Sequence, residues 1–248
     1  PLAAPTPAAT KGGAQFRAAL REVWQEPQAR RFTIFVFVSM LAYSAQDLIL
    51  EPFAGTVFSM TPGQSTQLSG VQRGGVLLGM LIVAATALLR RNASPRVLKA
   101  WPVGGCIASA GALLAIAAGG AAAPSWPLAG NVFLLGLANG AFAVAAIASM
   151  MTLAGHGAAR REGLRMGLWG ASQAIAFALG GFLGTVAIDI SRALIADAAT
   201  AYALVFGTEA GLFLVAALIG ARLRVRRSGG NDEPAPTFGD VADRKSTR

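Results

Sequence analysis

Charged residues are scarce in this chain. Asp, Glu, Lys and Arg make up only 13% of its 248 residues, whereas a soluble domain usually carries about 25%. Apolar residues make up 54%, and the mean hydropathy is +0.54. This balance excludes an ordinary soluble domain and predicts a protein that is embedded in lipid.

Histidine and cysteine each occur only once. Cys106 therefore has no partner for a disulfide within the chain. His156 lies between two glycines in a basic stretch, which favours a loop residue over the alternative, a ligand for a pigment or a partner. The chain also lacks a phosphate-binding glycine loop, a Cys/His metal cluster and a nucleophile elbow. We therefore expect a protein that is not an enzyme.

Long apolar runs are what the chain has instead, and they predict an all-α membrane protein. A bilayer core requires about 20 apolar residues in a helix. Six runs meet this length: Phe32–Phe53, Thr66–Leu89, Leu98–Gly119, Pro127–Leu153, Gly163–Ile188 and Ala201–Leu223. We expect a linker over residues 1–31, a six-helix bundle over 32–224 and a disordered tail over 225–248.

Two features are predicted around the first run. Apolar residues recur at helical spacing over residues 14–31, among arginines and glutamates. This pattern indicates an amphipathic helix that ends near Pro27, either on the membrane surface or as a solvated linker helix. Residues 54–65 are expected to form a long loop between the first two spans.

The distribution of basic residues predicts the orientation. All of the 21 Lys and Arg residues except Arg73 and Arg192 fall in the N-terminal segment, the second and fourth loops and the tail. The positive-inside rule then places both termini in the cytoplasm, and an even number of spans requires both termini on one side. Orientation also explains the net charge of +9, so we expect no nucleic-acid partner.

Charged residues inside the spans are the candidates for function. Asp47 and Glu51 are four residues apart, so they share one helix face. At ~1.5 Å per residue, Asp47, Arg73 and Glu209 each lie roughly 21 to 24 Å from the cytoplasmic end of their span. A buried charge costs about 2.5–3.5 kcal/mol on insertion scales. We therefore predict an ion-paired cluster in which Arg73 lies between Asp47 and Glu51, with Glu209 within reach.

The role of these polar residues stays open between structure and function. The charge cluster either clasps the first two spans together or binds a ligand. Asn139 and Gln173 fall near the middle of the fourth and fifth spans. Each either bonds a neighbouring helix or faces a cavity, where its oxygen could ligate the magnesium of a porphyrin.

Glycines four residues apart recur in the spans. Such pairs let helix backbones approach closely, so we expect them at helix contacts. The pairs are Gly75/Gly79, Gly136/Gly140, Gly163/Gly167, Gly180/Gly184 and Gly207/Gly211.

One stretch carries a resemblance to a known family. It reads Ala42-Tyr-Ser-Ala-Gln-Asp-Leu-Ile-Leu-Glu-Pro-Phe-Ala-Gly55, followed by Met60-Thr-Pro-Gly-Gln-Ser-Thr-Gln-Leu68. With the six spans, it resembles the PucC/LhaA family, the bacteriochlorophyll-delivery branch of the major facilitators. The likeness implies the C-terminal half of such a protein, built from two inverted three-helix repeats. Family members have about twelve spans, so we expect a piece of a longer protein or a partner chain with the other half.

The resemblance also implies a function. Family members serve the assembly of light-harvesting complexes in the bacterial inner, photosynthetic membrane, delivering bacteriochlorophyll to antenna polypeptides or chaperoning their insertion. On this basis Glu51 or Asp47, charge-balanced by Arg73, would ligate the pigment's magnesium, with Asn139 or Gln173 as second choices. The alternatives are a proton-coupled small-solute transporter, with Asp47 or Glu209 as the titrating group, and a structural subunit beside the antenna.

Overall fold

The predicted all-α class is confirmed. The computed structural model describes residues 21–89, 95–155 and 162–223. In these ranges six apolar helices are long enough to cross a membrane. They are α1 (Pro27–Val57), α2 (Pro62–Leu89), α3 (Pro95–Ala121), α4 (Leu128–Gly155), α5 (Glu162–Leu194) and α6 (Ala198–Ala221).

The α1 helix begins at Pro27, five residues before the predicted span. Proline suits the first helical turn because a backbone N–H at that position would have no partner within the helix. Residues 21–25 are helical and are separated from α1 by Glu26. The predicted break at Pro27 is therefore present, but residues 27–31 belong to α1. Residues 14–20 lie outside the described ranges, and a position on the membrane surface stays a prediction.

The connection between α1 and α2 is short, so the predicted long loop over residues 54–65 is wrong. The α1 helix continues through Pro52 to Val57, and α2 begins at Pro62. Neighbouring helices allow membrane helices to tolerate an internal proline. In the remaining connection, Phe58 packs its ring 5.5 Å from that of Phe53, and Ser59 turns the chain with a φ of 55°.

Helix packing does not follow the order of the chain. The largest interfaces join α2 to α4, α3 to α6 and α1 to α5, whereas the consecutive helices α1 and α2 share few contacts. Suppose that α1, α2 and α3 are exchanged with α4, α5 and α6, in that order. The α2–α4 pair then becomes the α5–α1 pair, and the α3–α6 pair stays the same. Two three-helix repeats would produce this pattern, although the major-facilitator repeat itself stays a prediction.

Glycines bring α2 and α4 into backbone contact. A Cβ atom on Gly79 would collide with the carbonyl oxygen of Leu137, and one on Gly136 would collide with that of Gln72. Gly180 of α5 packs in the same way on α1, where a Cβ would lie 2.5 Å from the carbonyl oxygen of Leu41. Two further pairs have open space beside them: Gly163/Gly167 and Gly207/Gly211.

Aromatic side chains fill the interface between α1 and α6. The ring of Phe53 lies 5.4 Å from that of Tyr202 and 5.1 Å from that of Phe206. At the other end of the same interface, Phe35 lies against Gly220. The two helices therefore run antiparallel, and the buried face of α1 is the one that carries Phe35 and Phe53.

Candidate functional site

Two carboxylates of α1 meet two neutral donors of α2. Asp47 and Glu51 are both exposed on the surface of the bundle. Gln72 Nε2 donates to Asp47 Oδ1 over 3.3 Å, and Ser69 Oγ donates to Glu51 Oε1 over 2.5 Å. We call these four residues the acidic edge. Here a pair spaced by four residues on α1 faces a pair spaced by three on α2.

The predicted ion pair of Arg73 does not form. Within the described helices, Arg73 acts on Asp47 through space but has no nitrogen within 4 Å of either carboxylate of the acidic edge. Successive helical residues are rotated by about 100°. Gln72 is buried against the bundle, so its neighbour Arg73 turns outward and is exposed. The donor that reaches Asp47 is therefore a neutral amide.

Glu209 is buried, whereas the carboxylates of the acidic edge are exposed. Its side chain is only 3% exposed, and both of its carboxylate oxygens lack a hydrogen-bond partner in the described part of the chain. It lies one turn beyond Phe206 on the buried face of α6. The predicted four-residue cluster is thus divided between an exposed edge and the interior of the bundle.

Asn139 and Gln173 occupy different surroundings. Asn139 is completely buried, and its Oδ1 accepts a hydrogen bond of 2.8 Å from Ser109 Oγ, which joins α4 to α3. Gln173 is half-buried on α5. The adjacent Ser172 donates to the carbonyl oxygen of Thr33, so Gln173 lies roughly 20 Å below the level of Asp47 along α1. His156, the other proposed ligand, lies outside the described residues.

Sequence reasoning assigned no role to three polar residues of α1 and α2. Ser69 and Gln72 hold the acidic edge, and their spacing of three residues is the signal that could have identified them. Gln46 is 1% exposed, and neither atom of its amide has a partner in the described ranges. It lies two helical turns before Phe53, which places it on the buried face of α1.

An apolar groove opens in the half of the bundle where α1 begins. It has a volume of about 480 Å³ and lies between α2, α3 and α4. Small residues form much of its wall, including Gly104, Gly105 and Ala108, and Trp101 lies beside them. The groove suits a hydrocarbon chain because its lining offers few polar atoms.

Comparisons with known proteins point to one family. The family described as PUCC protein matches residues 5–228. "Bacteriochlorophyll synthase 44.5 kDa chain" of Rhodobacter capsulatus is 54% identical over 200 residues, which cover 81% of this chain and 46% of that protein. "Uncharacterized protein in puhA-bchM intergenic region" of the same species is 33% identical over 225 residues, which cover 84% of this chain and 45% of that protein.

A third relative carries the family name. "Protein PucC" of Rhodovulum sulfidophilum is 30% identical over 191 residues, which cover 74% of this chain and 40% of that protein. The chain therefore spans less than half the length of each of these curated relatives.

Proposed function

Since the chain belongs to the PucC protein family, we propose that it helps to assemble light-harvesting complexes by delivering bacteriochlorophyll to antenna polypeptides or chaperoning them. The family match and the name of the Rhodobacter capsulatus relative support a photosynthesis-associated role, and the six apolar helices support a multi-pass membrane protein. The partners in this proposal are antenna polypeptides, the bilayer and a second six-span half. No catalytic step is part of the proposal.

The acidic edge is the observation that carries the proposal. Exposed carboxylates at membrane depth are costly in hydrocarbon unless a polar partner covers them. Ser69 donates to one oxygen of Glu51, and Gln72 donates to one oxygen of Asp47. Both residues are exposed, so a ligand or a partner polypeptide can reach their carboxylates.

The donor chemistry of this edge fits the magnesium of a bacteriochlorophyll. Magnesium prefers oxygen ligands, and a carboxylate provides them. Glu51 would hold the metal and Asp47 would be the second choice, while Arg73 would balance their charge through space. Asn139 fits poorly because it is completely buried and bonded to Ser109. A bound pigment would supply a magnesium that can accept a further oxygen ligand from this carboxylate.

The outward face of α2 is apolar. Leu77, Leu78 and Leu81 are exposed on it, on the helical turns that follow Gln72 of the edge and precede Thr86 of the groove in the chain. They supply the kind of surface that the macrocycle and the hydrocarbon tail of a pigment require. In this proposal the carboxylate sets the position of the ring, and the surface of α2 holds the rest of the molecule.

Pigment content tests the proposal. The protein would be purified in mild detergent from a phototrophic host, and its bacteriochlorophyll absorption would be measured per protein. We expect Glu51→Gln to lose most of the pigment. Ser69→Ala, which removes the group that orients the ligand, should weaken binding by about tenfold. Asp189→Asn is the matched control, because Asp189 is an exposed acid at the same end of the bundle.

Two results would contradict this proposal. Unchanged pigment content in Glu51→Gln would remove the ligand role of that residue and leave the edge as a link between α1 and α2. A wild-type protein without a bacteriochlorophyll band, together with pH-dependent solute flux in proteoliposomes, would favour a proton-coupled transporter instead.

A further inference from the structure

The interior of the bundle contains a carboxyl group that the acidic edge does not use. Glu209 lies among buried aromatic residues of α1 and α6, and neither of its oxygens has a hydrogen-bond partner in the described ranges. Gln46 is buried to the same degree, and both polar atoms of its amide also lack partners there.

Helix register brings Glu209 and Gln46 to the same interface. Phe53 and Phe206 lie at one level, with ring centroids 5.1 Å apart. Glu209 is one turn beyond Phe206, and Gln46 is two turns before Phe53. Because α1 and α6 are antiparallel, both residues lie on the same side of the Phe53–Phe206 pair, roughly 6 Å apart in depth.

The charged groups around Glu209 offer no compensation for a negative charge. Asp47 interacts electrostatically with Glu209. Because Asp47 is also an acid, its carboxylate would repel a negative charge on Glu209. No other titratable group acts on Glu209 in this way within the described ranges. The other titratable groups on α6 and on the helices packed against it, α1, α3 and α5, are Arg30, Arg31, Tyr43, Asp47, Glu51, Arg96, Lys99, Cys106, Glu162, Arg165, Asp189, Arg192 and Tyr202.

We propose that Glu209 is a proton-binding site inside the bundle, neutral as a carboxylic acid at neutral pH, and that a change of side-chain rotamer pairs it with the amide of Gln46, to which it makes no hydrogen bond in this structure. An isolated carboxylate in an apolar interior is so costly that the group takes up a proton instead. A carboxylic acid has one donor and one acceptor, and a primary amide offers the complementary acceptor and donor. The pair therefore needs no further polar group from the protein.

The site has a consequence for the α1–α6 interface. A neutral acid is compatible with the aromatic packing of Phe53 against Phe206 and Tyr202. Separation of α1 from α6 would admit water and allow the acid to release its proton. Protonation of Glu209 and closure of this interface are thus coupled, independently of any pigment at the acidic edge.

Infrared spectroscopy and carbodiimide labelling test this site in the purified full chain. A protonated carboxyl has a C=O stretch distinct from that of a carboxylate, and we expect this band at neutral pH to be lost in Glu209→Gln. An apolar carbodiimide reacts with a protonated carboxyl: the proton moves to a carbodiimide nitrogen, and the carboxyl oxygen bonds to the central carbon. Peptide mapping should place this label on Glu209.

The controls separate this site from the acidic edge. Glu51→Gln should keep the infrared band, whereas Gln46→Leu should shift its frequency because the hydrogen bond is lost. A protonated-carboxyl band that persists in Glu209→Gln would overturn the proposal. So would a label on Asp47 or Glu51 in preference to Glu209. Neither measurement depends on pigment content, so failure here is distinct from failure of the proposed function.

Discussion

At the scale of single residues, rotation about a helix axis decides the role of each polar group. Gln46 and Asp47 are neighbours in the chain, yet Gln46 is buried and Asp47 is exposed. The same holds for Gln72 and Arg73 on α2. The acids of the spans therefore divide into an exposed pair, which accepts hydrogen bonds from α2, and Glu209, which is enclosed.

Asp197 outside the spans gives a prediction about pH. Its carboxylate caps α6 by accepting hydrogen bonds from the hydroxyl and the backbone amide of Thr200. These hydrogen bonds, that of the hydroxyl first, lower the pKa of the Asp197 carboxyl. A lowered pKa in the folded state means that the cap stabilises the fold above the unfolded value of about 3.9 and is lost as the pH falls below it.

Thermal unfolding in detergent checks this cap. We expect Asp197→Ala to unfold at a lower temperature than wild type at about pH 7, and the difference to shrink below about pH 3.9. Asp197→Ser keeps a capping oxygen that does not titrate, so its difference from Asp197→Ala should persist at low pH. A difference between wild type and Asp197→Ala that grows on acidification would contradict the cap.

At the scale of helices, close backbone approach determines which elements pair. The backbones of α2 and α4 meet through glycines of both helices, and α5 meets α1 through Gly180. Lipid is as apolar as leucine, so membrane helices associate through close packing and polar contacts. This is why α2 packs on α4, although α1 precedes it in the chain.

Glycines that contact a neighbouring helix should respond to substitution differently from glycines beside open space. Gly79→Ala places a methyl group against the Leu137 backbone, and such overpacking costs about 1–3 kcal/mol. Gly211→Ala enters open space and should be neutral or stabilising by up to about 1 kcal/mol, because alanine favours the helix. The unfolding midpoints of the two variants, measured in one detergent, should therefore differ, with that of Gly79→Ala the lower. Equal effects would contradict the close contact.

At the scale of the whole molecule, the bundle leaves polar groups on its outside. The acidic edge and Arg73 are exposed on α1 and α2, and α2 is the least buried of the six helices. The chain spans less than half the length of its curated relatives. A second six-span half covering this face stays our proposal, and its position would decide how much of the acidic edge remains open to a ligand.

The predicted orientation can be tested because Cys106, the single cysteine, is buried. A membrane-impermeant maleimide should therefore leave the wild-type protein unlabelled. With both termini in the cytoplasm, we expect Ser125→Cys, in the exposed α3–α4 connection, to be labelled in intact spheroplasts. Ser228→Cys in the tail should be labelled only after lysis. The reverse pattern would contradict the positive-inside assignment.

The number of spans and the family could be predicted from the sequence, because each depends on local features. A run of about 20 apolar residues must cross the bilayer wherever it packs, and the Gln46-Asp47 to Pro52 stretch carries the family likeness without reference to tertiary contacts. The acidic residues inside the spans were equally visible.

Which faces of the helices meet could not be predicted without the three-dimensional packing. In lipid, the outer and the inner faces of a span are both apolar, so periodicity does not distinguish them. The structure placed Gly79 in a contact and Gly211 in open space, and it turned Gln72 rather than Arg73 toward Asp47. It also enclosed Glu209 in the bundle, because burial depends on neighbours that are distant in the chain.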